Sequence, residues 1–149
     1  MALRLRSKYF HLQCLLIRLH LVYKLRSIRD DVAARITSLK SRYPRFAPQL
    51  AIIQAGERPD STVYVRMKSK AAEEVGIKYT HIGLPATASV DDVVHAVKRL
   101  NDDDSISGIL VQLPLGPHVN PEGERTVTEA VSPEKDVDGY VVSELLSAW

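Results

Sequence analysis

After residue 25 the chain alternates between short apolar runs and longer segments of helical periodicity, and this alternation restricts the fold more than any other feature. The runs are Leu50–Ala55, Lys78–Leu84 and Gly108–Leu113. The first reads as a buried parallel strand. Ahead of it, Ile28, Val32, Ile36, Leu39 and Tyr43 recur at helical spacing until Pro44. A second helix is expected over Ser61–Gly76, with Asp60 or Ser61 as N-cap and Gly76 as the stop. Ser89 caps a third, whose apolar residues are Val90, Val93, Val94, Val97 and Leu100. A shorter helix is expected from Pro121 to Val131. Crossovers of this length predict parallel strands joined by right-handed βαβ units, an α/β fold.

Composition narrows the class. The net charge of +2 conceals an asymmetry: residues 1–29 carry seven Lys/Arg and no acid, whereas the remainder carries 13 Lys/Arg against 18 Asp/Glu. That mildly acidic body argues against a nucleic-acid-binding face. One cysteine, Cys14, excludes an internal disulfide and a cysteine-rich metal site. No apolar run approaches the roughly 18 residues needed to span a membrane. Residues 1–24 stand apart as a basic, Leu-rich extension. A mitochondrial transit peptide, a secretory signal without a small-residue cleavage site, and an extension of the first helix or misread gene start all fit that composition.

In a parallel sheet, groups just beyond the C-terminal strand ends gather along one edge, where ligands bind. Tyr64 and Lys68 follow the first strand and share a helix face, being four apart. Gln112 lies at the end of the third strand, in VQLPL. Asp136 and Asp138 lie in the later loop DVDG. A buried lysine beside a neutral amide can titrate nearer neutrality, as a general acid/base must. A carboxylate can accept from two adjacent N–H groups of a heterocycle. On spacing alone, an exposed Tyr and Lys, a solvent-facing Gln and an Asp-Gly turn are the commoner outcomes. Asp102-Asp103-Asp104 reads as a solvated helix end rather than a cation site, and His81 and His118 as isolated surface histidines. Tyr-x-x-x-Lys is also the catalytic pair of short-chain dehydrogenases. That reading needs a glycine-rich loop upstream, and residues 1–63 contain only Gly56.

Together, AGERPDSTVYVRMKSKAAEEVGI, GILVQLPL and SPEKDVDGY, in this order, resemble the bifunctional methylenetetrahydrofolate dehydrogenase/cyclohydrolase family. They equally resemble the N-terminal section of trifunctional tetrahydrofolate synthases. The likeness runs from about Leu25 to Tyr140. It implies a folate site in which Tyr64 stacks on the ring system, Lys68 is the catalytic acid/base of the cyclohydrolase step, and Gln112 tunes that lysine. Asp138 grips the pterin's amino edge, with Asp136 close by. Burial against the Tyr64 ring is expected to help prepare Lys68.

The family reaction is NADP-dependent oxidation of methylenetetrahydrofolate, then hydrolysis of the methenyl product to formyltetrahydrofolate, with no metal. The expected architecture is a three-layer catalytic domain over residues 25–149, behind the extension 1–24. The family's Rossmann cofactor domain, with its glycine-rich loop, has no counterpart in these residues, so no dehydrogenase activity is expected of them. The expected partner is folate, with homodimer formation or association with full-length subunits. A non-catalytic fragment that binds folate weakly is the alternative. The location is expected to be cytoplasmic, or mitochondrial if residues 1–24 act as a transit peptide.

Overall fold

The computed structural model describes residue 24 and residues 26–139. The expectations for residues 1–23 and for residues 140–149, Tyr140 included, lie outside the described residues. Helix α1 covers residues 26–42. There follow β1 (Gln49–Ala55), α2 (Pro59–Glu74), β2 (Lys78–Leu84), α3 (Val90–Asn101), β3 (Gly108–Gln112) and α4 (Pro121–Glu129). The strands form a parallel sheet in the order β2-β1-β3. No helix among the described residues is long and apolar enough to cross a membrane.

Register assigns each face of the sheet its cover. In β1 and β3 the in-register pairs Ala51–Ile109 and Ile53–Val111 project to one side. There they join Val93, Ala96 and Val97 of α3 and Val127 of α4 in the main core. Leu50, Ile52 and Leu110 project to the other side and meet Val65 of α2. The result is three layers, helix–sheet–helix. Fully burying a side chain such as Ile53, Val93 or Val127 contributes about 1.5–3 kcal/mol.

Local chemistry sets the helix ends. At the start of α2 the cap is Arg58, which makes no side-chain cap hydrogen bond, and not Asp60 or Ser61. Pro59 opens the helix because its fixed φ suits the first turn and its missing N–H would be orphaned there anyway. Asp60, displaced into the first turn, accepts from Arg58 Nη2 at 2.9 Å. Gly76 ends the helix as expected. Its φ is +85°, Gly76 N donates to Glu73 O and Ile77 N to Ala72 O, both at 2.9 Å. This pairing satisfies two final carbonyls and requires a left-handed residue. In α3, Ser89 Oγ accepts from Asp92 N at 3.1 Å and the Asp92 carboxylate accepts from Ser89 N at 2.9 Å, a reciprocal capping box.

Helix α1 departs from the apolar pattern. Ile36 is buried, but Ile28, Leu39 and Tyr43 are exposed. Polar contacts join α1 to the last residue of α2 and to the turn after it instead: Arg29 Nη1 to Glu74 Oε2 at 3.1 Å and Lys40 Nζ to Gly76 O at 2.7 Å. Helical spacing marks a stripe, and here only its middle meets the rest of the described protein.

Candidate active site

Helix α2 lies on the sheet face that carries Leu50, Ile52 and Leu110, and it turns Ser61, Val65, Ser69 and Ala72 inward. At about 100° per residue, Thr62, Arg66, Ser69 and Glu73 fall to one side of Val65, and Ser61, Tyr64 and Lys68 to the other. The first flank faces β2: it lines a 530 Å³ concavity together with Tyr79 and His81. The second flank therefore faces β3, at whose C-terminal end Gln112 sits. Gln112 pairs in register with Gln54, so both side chains lie on the α2 side of the sheet.

Gln112 is buried, at 9% relative exposure, where spacing alone suggested a solvent-facing residue. Its Nε2 donates to Leu113 O at 2.7 Å. That bond fixes the amide's orientation and turns Oε1 inward as an acceptor. Among the described residues, Gln112 Oε1 and Ser61 Oγ are buried polar atoms with no hydrogen-bond partner. A buried acceptor without a donor is costly, about 1–3 kcal/mol, and a catalytic role is one physical reason to keep it.

The remaining wall comes from residues 135–139. Ile109 N donates to Lys135 O at 2.7 Å, and Asp136 forms a parallel bridge with Ile109. This segment thus runs beside β3 on the side away from β1, toward the same sheet edge. Asp136 Oδ1 accepts from Asp138 N at 3.1 Å and from Gly139 N at 2.9 Å, closing a turn that leaves Asp138 exposed. The close approach depends on Gly108, where a Cβ would stand 2.5 Å from Val137 Cγ1.

Helix α2, the end of β3 and the segment 135–139, which carry Tyr64, Lys68, Gln112, Asp136 and Asp138, lie beside one another. Tyr64 is 58% exposed and Lys68 only half-buried, so the lysine is less enclosed than expected. The reason is angular: Tyr64 sits about 100° from the sheet-facing line of Val65, Lys68 about 60°. Among the described residues, the Lys68 ammonium makes no hydrogen bond or ion pair. Asp136 lies beside Asp138, and its carboxylate accepts from the backbone N–H groups of Asp138 and Gly139. Spacing also missed Gln54, whose Nε2 donates to Thr62 Oγ1 at 3.1 Å and ties α2 to the strand end; a lone polar residue in an apolar run was its signal. No group of three or more His, Cys, Asp or Glu residues among the described ones could hold a metal, and Asp103 instead accepts from Ser105 N at 2.8 Å.

Sheet topology and element order define a parallel α/β domain whose candidate lysine, amide, aromatic and carboxylate groups lie on α2, on β3 and on the segment beside β3. The model of the tetrahydrofolate dehydrogenase/cyclohydrolase catalytic domain matches residues 24–138, and the chain belongs to this family. It is 49% identical over 115 residues to the mitochondrial C-1-tetrahydrofolate synthase of Schizosaccharomyces pombe, covering 77% of this chain and 12% of that protein. It is 47% identical over 112 residues to the human cytoplasmic C-1-tetrahydrofolate synthase, covering 75% and 12%. Among solved structures it resembles the Bombyx mori 5,10-methylenetetrahydrofolate dehydrogenase, with TM-score 0.71, 36% identity, and coverage of 76% of this chain and 38% of that one. The Trypanosoma brucei dehydrogenase–cyclohydrolase, solved with NADP and an inhibitor, gives TM-score 0.69 and 34% identity, covering 74% and 36%. The chain thus spans a small part of each relative.

Proposed function

We propose that residues 25–149, behind the extension 1–24, form a folate-binding catalytic domain. Its chemistry is hydrolysis of methenyltetrahydrofolate to formyltetrahydrofolate, within one-carbon metabolism. The observation that carries this reading is the buried, unpartnered Oε1 of Gln112, at the strand end faced by the Lys68 flank of α2. An amide oxygen fixed in that way is suited to accept from an ammonium and to hold the amine at one position.

Hydrolysis adds water to the electron-poor methenyl carbon, and the water loses a proton as the C–O bond forms. The bond from that carbon to one ring nitrogen then breaks as the new hydroxyl loses its remaining proton to solvent and becomes the formyl carbonyl, and the first proton is delivered to the departing nitrogen. Lys68 accepts and returns that proton, and Gln112 positions it; such a group contributes roughly 10²–10⁴ in rate. Tyr64, with its ring exposed, offers a stacking surface. Asp138 accepts from the amino edge of the heterocycle.

The family's redox step requires NADP. The seven glycines, at 56, 76, 83, 108, 116, 123 and 139, are too dispersed to build the glycine-rich loop whose N–H groups would hold its pyrophosphate. These residues do not fit the cofactor, and no step is derived through it. Since relatives are described as both mitochondrial and cytoplasmic, the compartment we propose is the cytoplasm; import of the full chain into isolated mitochondria would reassign it.

The test is titration of the purified chain with tetrahydrofolate, followed by tyrosine and tryptophan fluorescence. Saturable binding is expected. Asp138→Asn turns one acceptor toward a donor amide and should weaken binding about tenfold or more. No binding, or equal binding by the variant, would refute the assignment.

A further inference from the structure

We propose that Lys135 is the positioning residue of the folate site, setting Asp138 through a clamp between the end of α3 and the edge of β3; this rests on the folate reading above. All three ammonium protons of Lys135 are used. Nζ donates to Leu100 O at 2.9 Å, Asn101 O at 2.7 Å and Asp103 O at 2.8 Å. These carbonyls belong to the last turn of α3 and the residues just after it, where the helix dipole favours a cation. The same residue's backbone carbonyl accepts from Ile109 N at 2.7 Å on β3. Lys135 thus ties two elements of different layers at one point in the chain.

The next residues pass that position on. Asp136 bridges to Ile109, and its carboxylate holds the backbone N–H groups of Asp138 and Gly139. A displacement of Lys135 is therefore a displacement of the Asp138 turn. A second link supports the clamp from behind: Asn101 Nδ2 donates to Ala130 O at 2.8 Å and Asn101 Oδ1 accepts from Ser132 N at 3.0 Å, fixing where the chain enters 132–135. Lys68 and Gln112 lie on α2 and β3 and share no hydrogen bond with this clamp. Loss of Lys135 is thus separable from loss of the chemistry.

The test uses the full chain and Lys135→Met. Three quantities are read: the Kd for tetrahydrofolate, kcat and KM for methenyltetrahydrofolate hydrolysis, and amide hydrogen exchange at Asp138 and Gly139. Loss of three charge-assisted hydrogen bonds should raise Kd and KM about tenfold while kcat stays within about twofold. Exchange at the two amides should accelerate more than in the β1 core. Lys135→Arg keeps the charge but offers a planar fork to carbonyls that converge on one point. It should give an intermediate Kd, and it serves if the Met variant fails to fold. Unchanged Kd and unchanged local exchange in a folded variant would overturn the proposal, as would a fall in kcat at constant KM. Absence of tetrahydrofolate binding by the unaltered chain would overturn the folate reading itself. The two exchange rates would then still support or overturn the hold of Lys135 on the turn.

Discussion

Replacing Gln112 with leucine separates chemistry from stability. The substitution removes a buried oxygen that lacks a partner and also the donor to Leu113 O. These effects oppose each other, so the net change in stability should stay within about 1 kcal/mol. Lys68 would lose the group that positions it, and hydrolysis of methenyltetrahydrofolate should fall about 100-fold. Thermal unfolding beside a turnover assay checks both, and a large fall in stability at normal turnover would reverse the roles assigned. Motif order singled out Tyr64, Lys68, Gln112 and Asp138 as candidates in the sequence. The burial of Gln112 was not legible there, because it depends on α2 covering that face of β3. Lys135 was illegible for a related reason: its role lies in hydrogen bonds to residues brought alongside by the fold. For Lys135, the distance along the chain is about 35 residues.

Each element's existence followed from periodicity, whereas its ends followed from side-chain chemistry that spacing only partly reveals. Ser89 and Gly76 were legible because a capping box and a left-handed stop have sequence signatures. At the start of α2, Asp60 has the chemistry of a cap, but Pro59 at the first position is the stronger start signal and sets the boundary earlier. The capping box of α3 supports a prediction at this scale. The hydrogen bonds from the Ser89 hydroxyl and then its backbone N–H hold the Asp92 carboxyl below its ordinary value of 3.8. A depressed folded value means the box's stabilisation is complete above 3.8 and is lost as pH falls through that lower value. Ser89→Ala should cost about 1 kcal/mol near pH 7. The gap in melting temperature between the variant and the unaltered chain should narrow as the pH falls below 3.8. A gap that stays constant into acid would show that the bond from the Ser89 hydroxyl to the Asp92 carboxylate adds nothing to the cap.

At the scale of the molecule, β1 lies central and β3 faces the segment 135–139, so the site forms where α2, β3 and that segment meet. The sequence indicated a parallel sheet but not the order β2-β1-β3, because strand order depends on which helix covers which face, and the apolar runs are nearly interchangeable in composition. The exposed apolar residues of α1 show the same limit: helical spacing identifies a stripe without naming what it packs against. Proton transfer by Lys68, aided by Gln112, is the step on which the proposed function depends. The most direct measurement is the rate at which the full chain and its Lys68→Met variant hydrolyse methenyltetrahydrofolate, with tetrahydrofolate affinity measured alongside. Hydrolysis faster than in buffer is expected for the unaltered chain, with a loss of at least about 100-fold in the variant and affinity essentially unchanged. Equal turnover by the two proteins, or binding by the unaltered chain with hydrolysis no faster than in buffer, would contradict it.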